Sequence, residues 1–329
     1  MELSAEKKRI DWVDALRALA MVFVIYGHRV PEWSGYFVFT SPIKIPLFFA
    51  ITGYVFSGAN GDVKVFFRKL IRTIVIPWLV LTILPYLAMT PFKGFAFLWT
   101  HVKAILIGDE FWYMPCCIAA EIIWFFTLKF AKRKWLIALI AAVLFAAGVV
   151  LYHFGILSVF MINRAMTAQV FLLIGLLFRN YEKQIVERAG KAWLLLTGLA
   201  VYIGLGVLSL LLYPGQVMDV HLNKYYDYAI CQAMIWIGIA VLFIACAKYC
   251  RKFPRWWVCV GQHTLVIYLF HALVVRLCVK AFGFVHIPVN RLTNILLTAL
   301  ACAICLGISL LIHWLLPELM GKKRKKKTA

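Results

Sequence analysis

Long apolar runs separated by short polar segments make up most of this chain. A helix needs about 20 residues to cross a bilayer, and a window of that length predicts ten membrane-spanning helices. The stretch Phe95–Ile107 is shorter and carries His101 and Lys103, so it is predicted to lie at the interface or to re-enter the membrane. The expected fold class is an all-α polytopic membrane protein. The ten predicted spans, within a few residues, are Trp12–Val30, Pro42–Gly58, Thr73–Met89, Phe111–Phe130, Lys134–Gly155, Arg164–Arg179, Lys191–Tyr213, Asp227–Tyr249, Gly261–Lys280 and Thr293–Leu316.

The composition supports this fold class, because 64% of the residues are hydrophobic and 15% are charged, with a mean hydropathy of +0.87. Such values exclude a soluble globule. The basic start followed by an apolar run imitates a signal peptide, but Arg17 interrupts the run and no small-residue cleavage site follows. We therefore expect an uncleaved first span. Residues 1–329 are expected to form one transmembrane domain, with a short basic cytoplasmic tail at 321–329.

The net charge of +21 does not indicate a nucleic-acid partner, because the basic residues form short clusters between apolar runs. Cytoplasmic loops of membrane proteins are rich in lysine and arginine. With ten spans, 25 of the 35 basic residues fall on one side of the membrane and nine on the other, while Arg17 lies within the first span. Both termini are therefore predicted to be cytoplasmic. The clusters on that side are Lys7–Arg9, Lys64–Arg72, Lys129–Lys134, Arg179–Lys191, Lys248–Arg255 and Lys322–Lys327.

The first predicted span carries an arginine and a histidine, which are rare within membrane helices and usually functional there. Arg17 and His28 are eleven positions apart, so at about 100° per residue their side chains leave the helix on nearly the same face, roughly 16 Å apart along the axis. Arg17 falls in the cytoplasmic half and His28 near the outer end. The alternative is a structural ion pair between Asp14 and Arg17, with His28 at the interface.

Two further arginines mark the cytoplasmic start of the third span. Arg68 and Arg72 are one helical turn apart and precede Pro77. Guanidinium groups bind phosphate oxygens in a bidentate fork, so these residues and Arg17 are predicted to form a phosphate clamp if the first and third helices adjoin. Cytoplasmic anchoring, or attraction to anionic membrane lipid, explains the pair equally well. Nine cysteines, mostly inside apolar runs, indicate neither a disulfide framework nor a metal site.

These motifs resemble the membrane acyltransferase 3 family, particularly its short members similar to fucose 4-O-acetylases, over nearly the whole chain. The most specific element is arginine, ten residues, then histidine in the first helix, which Arg17 and His28 match. Two positions depart from the family pattern: Thr52 stands where serine is usual, and His263 where asparagine is common. Other stretches that agree in order are Pro46–Gly58, Phe66–Pro77, Phe111–Pro115, Phe171–Asn180 and Gly261–Val274.

The resemblance implies an enzyme of the bacterial cytoplasmic membrane that transfers an acyl group, most often acetyl, from acyl-CoA (acetyl-CoA). The acceptor would be a hydroxyl of an envelope carbohydrate or of a lipid-linked glycan. The roughly 16 Å between Arg17 and His28 is of the order of an extended pantetheine arm. His28, with an ordinary pKa of about 6.5, would act as general base on the acceptor or carry the acyl group covalently. The sequence leaves both roles open.

Four other residues complete the predicted site. Asp14 is expected to orient Arg17 from one turn away. Tyr268 and His271, three positions apart in the ninth span, are predicted on the acceptor side, although a buried histidine at a helix crossing is nearly as good an interpretation. Glu121 is an intramembrane carboxylate for which a structural hydrogen bond is the expected role and substrate binding the alternative.

Aromatic residues and glycines have simpler explanations. Trp112 and Tyr113, at the outer start of the fourth span, are expected in the aromatic belt, with sugar stacking as the alternative. Three glycines inside the spans are expected to permit close helix contacts. They are Gly53, Gly175 and Gly261.

Two other functions fit a ten-helix chain. A transporter of an anionic or glycosidic solute accounts for charges at membrane depth, but its repeated halves with paired broken helices are not found in the sequence. A non-catalytic membrane scaffold leaves Arg17 and His28 without a role. Release of coenzyme A from acetyl-CoA by the purified protein distinguishes these possibilities.

Overall fold

The structure is a computed structural model that describes residues 9–30, 35–156, 158–250, 252–288 and 290–321. The predicted tail therefore lies almost wholly outside the described residues. Within them the secondary structure is helical, apart from an isolated antiparallel bridge between Asp219 and Lys224. The α-helices are α1 (Asp11–Gly27), α2 (Gly35–Val55), α3 (Val63–Leu70), α4 (Ile76–Lys93), α5 (Phe95–Ile107), α6 (Tyr113–Phe130), α7 (Lys134–His153), α8 (Ile162–Thr167), α9 (Gln169–Ala189), α10 (Ala192–Leu212), α11 (Tyr228–Tyr249), α12 (Arg255–Gln262), α13 (Thr264–Phe284) and α14 (Arg291–Leu315).

The predicted fold class is confirmed: the chain is an all-α polytopic membrane protein. In the described residues eight helical runs are long and apolar enough to cross a bilayer, or nine if the pair Val159–Thr167 and Gln169–Ala189, bent by 48°, forms one span. With the bent pair counted as one span, these nine runs correspond to the second to tenth predicted spans. The first predicted span is α1, which has 17 residues. It is about 25 Å long and at the lower limit for crossing a membrane.

The helix α2 begins earlier than predicted. It starts at Gly35 rather than Pro42, and both Pro42 and Pro46 lie inside it. Proline removes one backbone hydrogen bond, but membrane helices tolerate it where neighbouring groups satisfy the freed carbonyl. The proline was therefore a poor marker of the start of this span.

Most of the ninth predicted span, Gly261–Lys280, is α13. The separate helix α12 precedes α13, and all but its last two residues lie in a stretch that the sequence assigned to a loop. The two meet at His263, whose φ of −108° and ψ of 11° interrupt the helix. The short segment Phe95–Ile107, predicted not to span, is the 13-residue helix α5 with the same bounds. Gly94 and Gly108 bound it, with positive φ angles of 84° and 96°.

The chain divides into two compact units. Unit 1 comprises Met1–Ile51, Phe178–Met218 and Tyr226–Leu306. Unit 2 comprises Thr52–Leu177, Asp219–Tyr225 and Gly307–Ala329. Consequently α1, α10, α11, α12 and α13 belong to unit 1 and α3 to α8 belong to unit 2, whereas α2, α9 and α14 contribute to both.

Unit 1 is built around α1, most of whose apolar side chains are buried. Against its first turns packs α12, so closely that a Cβ added at Gly261 would lie 1.7 Å from the Asp14 carbonyl oxygen. Trp257 Nε1 donates to the Ala15 carbonyl at 3.0 Å. The ring of Trp12 contacts Phe243 of α11, with centroids 5.5 Å apart. Gly261 therefore permits a close helix contact, as the sequence predicted.

The C-terminal end of α1 meets α13 and α14. His28 contacts His271 of α13, and Asn294 Nδ2 near the start of α14 donates to the Arg29 carbonyl at 3.3 Å. Since α12 joins the other end of α1, α13 runs parallel to α1 and α14 runs antiparallel to it. These relative directions agree with the predicted order of spans.

Unit 2 packs its helices through small residues and aromatic rings. A Cβ added at Gly53 would lie 2.0 Å from the Leu172 carbonyl oxygen, so this glycine also permits a close contact. The rings of Phe66 and Phe125 stack with centroids 4.2 Å apart. Between α3 and α4 the residues Ile71–Val75 form a π-helix, and the whole run Val63–Lys93 is a 31-residue helix.

Candidate functional site

Asp14 and Arg17 form an ion pair on the N-terminal half of α1. Arg17 Nη1 donates to Asp14 Oδ1 at 2.7 Å. The Asp14 side chain is 2% exposed and that of Arg17 is 26% exposed. The i, i+3 spacing brings the two side chains together, and the close approach of α12 at Gly261 helps to bury the carboxylate. Arginine has five N–H donors, so the pair fixes the guanidinium while leaving donors for a second anion.

His28 and His271 lie side by side at the C-terminal end of α1. Their ring centroids are 4.9 Å apart and the ring planes are inclined by 45°. His28 caps the end of α1 and is exposed, whereas His271 is buried at 4% exposure. The parallel course of α1 and α13 produces this contact between residues far apart in the chain.

Tyr268 determines which nitrogen of His271 carries the hydrogen in the neutral ring. His271 Nδ1 lies 2.5 Å from the Tyr268 carbonyl oxygen. A carbonyl can only accept, so Nδ1 is the donor and Nε2 carries the lone pair. Nε2 is buried without a hydrogen-bond partner among the described residues. The pair thus combines an exposed imidazole with an unused acceptor on the neighbouring ring.

The other predicted site residues belong to unit 2. Arg68 and Arg72 are exposed on the run Val63–Lys93. Glu121 lines a separate cavity of about 150 Å³ beside the π-helix, together with Lys69 and Thr73. π-Helical turns often occur at functional sites. The predicted convergence of Arg68 and Arg72 with Arg17 of unit 1 stays a prediction, as does a substrate role for Glu121.

A carboxylate–histidine–tyrosine cluster in unit 2 was not predicted. Glu110 Oε1 lies 2.6 Å from His101 Nδ1, and Tyr86 Oη donates to Glu110 Oε2 at 2.9 Å. The rings of Tyr86 and His101 stack with centroids 4.0 Å apart. The glycines that bound α5 turn the chain so that these residues meet. Tyr86, His101 and Glu110 are too far apart in the sequence for their spacing to predict this cluster. The presence of His101 in an apolar segment was the one feature of the sequence that pointed to it.

A second unpredicted cluster surrounds His221 in the loop between α10 and α11. Trp112 stacks on the His221 ring with centroids 4.6 Å apart, and Arg164 Nε donates to the His221 carbonyl at 2.8 Å. Burial lowers the pKa of His221, with the Asp219 carboxylate acting in the opposite direction. Tyr113 is buried at 7% exposure, so the prediction of an aromatic belt is wrong for Tyr113. Its side chain packs inside unit 2.

These features define the class of the protein as a polytopic membrane protein whose helices carry a histidine pair and an ion pair with a buried carboxylate. Such groups are expensive at membrane depth and mark functional sites. A family model described as an acyltransferase domain matches residues 10–314. The chain therefore belongs to the acyltransferase 3 family and is a membrane acyltransferase, which confirms the family resemblance of the sequence motifs. No curated protein and no solved structure matches the chain.

Proposed function

We propose that this acyltransferase moves an acyl group, in the simplest case acetyl, from cytoplasmic acyl-CoA to a hydroxyl of an envelope carbohydrate or lipid-linked glycan. The bacterial cytoplasmic membrane is the proposed location. The observation that carries the chemistry is the contact between His28 and His271, whose ring centroids are 4.9 Å apart. It supplies an exposed imidazole with a second imidazole positioned to assist it.

In the proposed reaction His28 acts as general base. In the transfer step the His28 ring would turn so that one N–H donates to His271 Nε2, which has no hydrogen-bond partner in the described part of the chain, and the lone pair of the other nitrogen would face the acceptor hydroxyl. As the acceptor oxygen attacks the thioester carbonyl, the hydroxyl proton passes to His28, the new C–O bond forms and the C–S bond breaks. The proton then passes to the coenzyme A thiolate. A positioned general base contributes about 10²–10⁴-fold to such a step.

His271 acts through His28 and is therefore a positioning residue. Its Nδ1–H is held by the Tyr268 carbonyl, at 2.5 Å, so its neutral form always presents Nε2 as an acceptor. This acceptor stabilises the N–H of His28 and, in the transfer step, its imidazolium form. The alternative role of His28 as covalent acyl carrier uses the same contact, because acylation of one nitrogen requires the other to lose its proton.

Arg17 is proposed to bind the donor. Asp14 holds its guanidinium at 2.7 Å in the cytoplasmic half of α1, roughly 16 Å along the helix axis from His28. Phosphate or pantetheine oxygens would accept from the remaining N–H groups. Arg68 and Arg72 are proposed to bind the donor phosphates at the cytoplasmic surface. Tyr268 positions His271, and Glu121 stays a weaker candidate on the substrate side.

The test is release of coenzyme A from acetyl-CoA by the purified protein in detergent or nanodiscs. An acyltransferase releases coenzyme A slowly by hydrolysis without an acceptor and faster with an acceptor glycan. A protein that transports the glycan without releasing coenzyme A would contradict the proposal and favour a transporter. Heat-inactivated protein is the control for spontaneous thioester hydrolysis.

A further inference from the structure

Unit 1 contains a large apolar groove near the histidine pair. Its volume is about 480 Å³, and its lining includes Val22, Phe23 and Tyr26 on the outer half of α1. Trp256 and Trp257 of α12 form its inner wall. A cavity of this kind holds water poorly, because its walls offer few hydrogen-bond partners. Its chemistry suits a hydrocarbon.

One face of α14 creates the groove. The lining residues on this helix repeat every three or four positions, so they share one face, and the four in the middle are small. A stripe of small residues normally lets two helices pack closely, whereas here it leaves space opposite α1 and α12. The residues are Ile295, Thr298, Ala299, Cys302, Ala303 and Leu306.

Polar atoms without hydrogen-bond partners follow the groove-lining residues at the C-terminal end of α1 and precede those at the start of α14. Asn294 directly precedes Ile295, is only 8% exposed, and its Nδ2 donates to the Arg29 carbonyl at 3.3 Å. Asn294 Oδ1 and Arg29 Nε are buried and have no hydrogen-bond partner among the described residues. Buried polar atoms are normally paired, and leaving one unpaired is unfavourable.

The hydrogen-bonding chemistry of the unpaired atoms indicates which kind of ligand would satisfy them. Arg29 offers a cationic donor, which suits a phosphate. Asn294 Oδ1 is an acceptor, which suits a sugar hydroxyl. Arg29 lies one turn after Tyr26 and directly follows His28, so the cation and the transfer residue both come after the groove-lining part of α1. A lipid-linked glycan likewise has its phosphate and hydroxyls beyond one end of its hydrocarbon chain.

We infer that the groove and the Arg29–Asn294 pair bind the acceptor as a lipid-linked glycan, with its hydrocarbon chain along α14 and its phosphate at Arg29. This inference rests on the proposed function and names its acceptor class. At ~30 Å³, the share of one water molecule in the liquid, the groove volume of about 480 Å³ corresponds to on the order of 15 groups of that size, which is enough for a long hydrocarbon chain. The donor's pantetheine arm does not fit there, because its amides would lie against apolar walls.

The probe for this site is farnesyl phosphate, a 15-carbon isoprenoid phosphate, and the measurement is its binding to purified protein in nanodiscs. Wild-type protein is expected to bind it saturably. Arg29→Gln removes the cation and Ala303→Phe fills the groove, and each is expected to raise the Kd at least about tenfold, a difference of ~1.4 kcal/mol. The control is Ile304→Phe, at an exposed neighbour that does not line the groove, and its Kd is expected to match the wild type.

Competition experiments with farnesyl phosphate identify which class of ligand occupies the groove. Neither phosphatidylglycerol nor palmitoyl-CoA is expected to displace farnesyl phosphate, and competition by either would overturn the inference in favour of an ordinary lipid site or an acyl-donor site. An Ala303→Phe variant that binds like the wild type would also overturn it. Coenzyme A release from acetyl-CoA is measured on the same preparations. Normal release with no farnesyl phosphate binding refutes this inference alone, whereas absent release in the wild type refutes the proposed function.

Discussion

The imidazole ring of His28 lies beside that of His271, with centroids 4.9 Å apart and planes inclined by 45°. One histidine ends α1 and the other lies within α13, and the parallel packing of these helices brings them together. Because the Tyr268 carbonyl fixes Nδ1 of His271, its Nε2 is the atom available to His28. A histidine pair of this kind strengthens a general base without placing a carboxylate in the membrane.

Removing His271 is expected to slow transfer without weakening donor binding. His271→Ala deletes the acceptor for the His28 N–H, so kcat is expected to fall about 10–100-fold while the acetyl-CoA KM stays near the wild-type value. Added imidazole is expected to restore part of the rate by occupying the space left. Steady-state kinetics with and without imidazole check this. A fall in rate that imidazole leaves unchanged, together with a raised KM, would assign His271 a purely structural role.

Arg17→Ala is expected to weaken donor binding. Hydrogen bonds to charged groups contribute about 1.5–3 kcal/mol, so the Kd of a non-hydrolysable acetyl-CoA analogue is expected to rise roughly 10- to 150-fold. Asp14→Asn keeps the charge of Arg17 but weakens its orientation, and a smaller rise is expected. Isothermal titration calorimetry measures both. An unchanged Kd in folded Arg17→Ala would restrict the Asp14–Arg17 ion pair to a structural role.

Replacing both Arg68 and Arg72 by glutamine is expected to raise the donor KM about tenfold and to reduce its sensitivity to salt. The matched control removes two exposed charges from another predicted cytoplasmic segment, by Lys132→Gln with Arg133→Gln. If the arginines only anchor the protein or attract anionic lipid, both double variants keep the wild-type KM.

Gly261 is expected to be essential for the packing of α12 on α1. A Cβ at this position would lie 1.7 Å from the Asp14 carbonyl oxygen, so Gly261→Ala forces the helices apart at a cost of about 1–3 kcal/mol. A lower unfolding temperature in detergent is expected. Gly204→Ala is the control, because nothing lies within 4 Å of its added Cβ, and its unfolding temperature is expected to stay the same or rise slightly. Equal unfolding temperatures for the two variants would contradict this account.

The sequence predicted the fold better than the site because bilayer thickness fixes helix length. Nine of the ten spans, the short helix α5 and the close contacts of Gly53 and Gly261 followed from apolar length and residue size. The start of α2 did not, because its prolines suggested a boundary that the neighbouring packing removes. α12 was missed because its eight residues are too few to be recognised as a span.

The site was predicted only where its residues share one helix. Arg17 and His28 are related by helical geometry, so their common face follows from spacing alone. Contacts between helices, such as His28 with His271 or Arg29 with Asn294, depend on packing that spacing does not encode. Arg29 in particular resembles any basic residue at a membrane interface, and only its buried, unpartnered Nε distinguishes it.

The role of His28 as the base for acyl transfer is tested most directly by comparing wild-type and His28→Ala protein in coenzyme A release with acceptor present. Release is expected to fall about 10²–10⁴-fold in a variant that keeps the wild-type unfolding temperature and binds a non-hydrolysable donor normally. Transfer at the wild-type rate by folded His28→Ala would show that His28 is not the base.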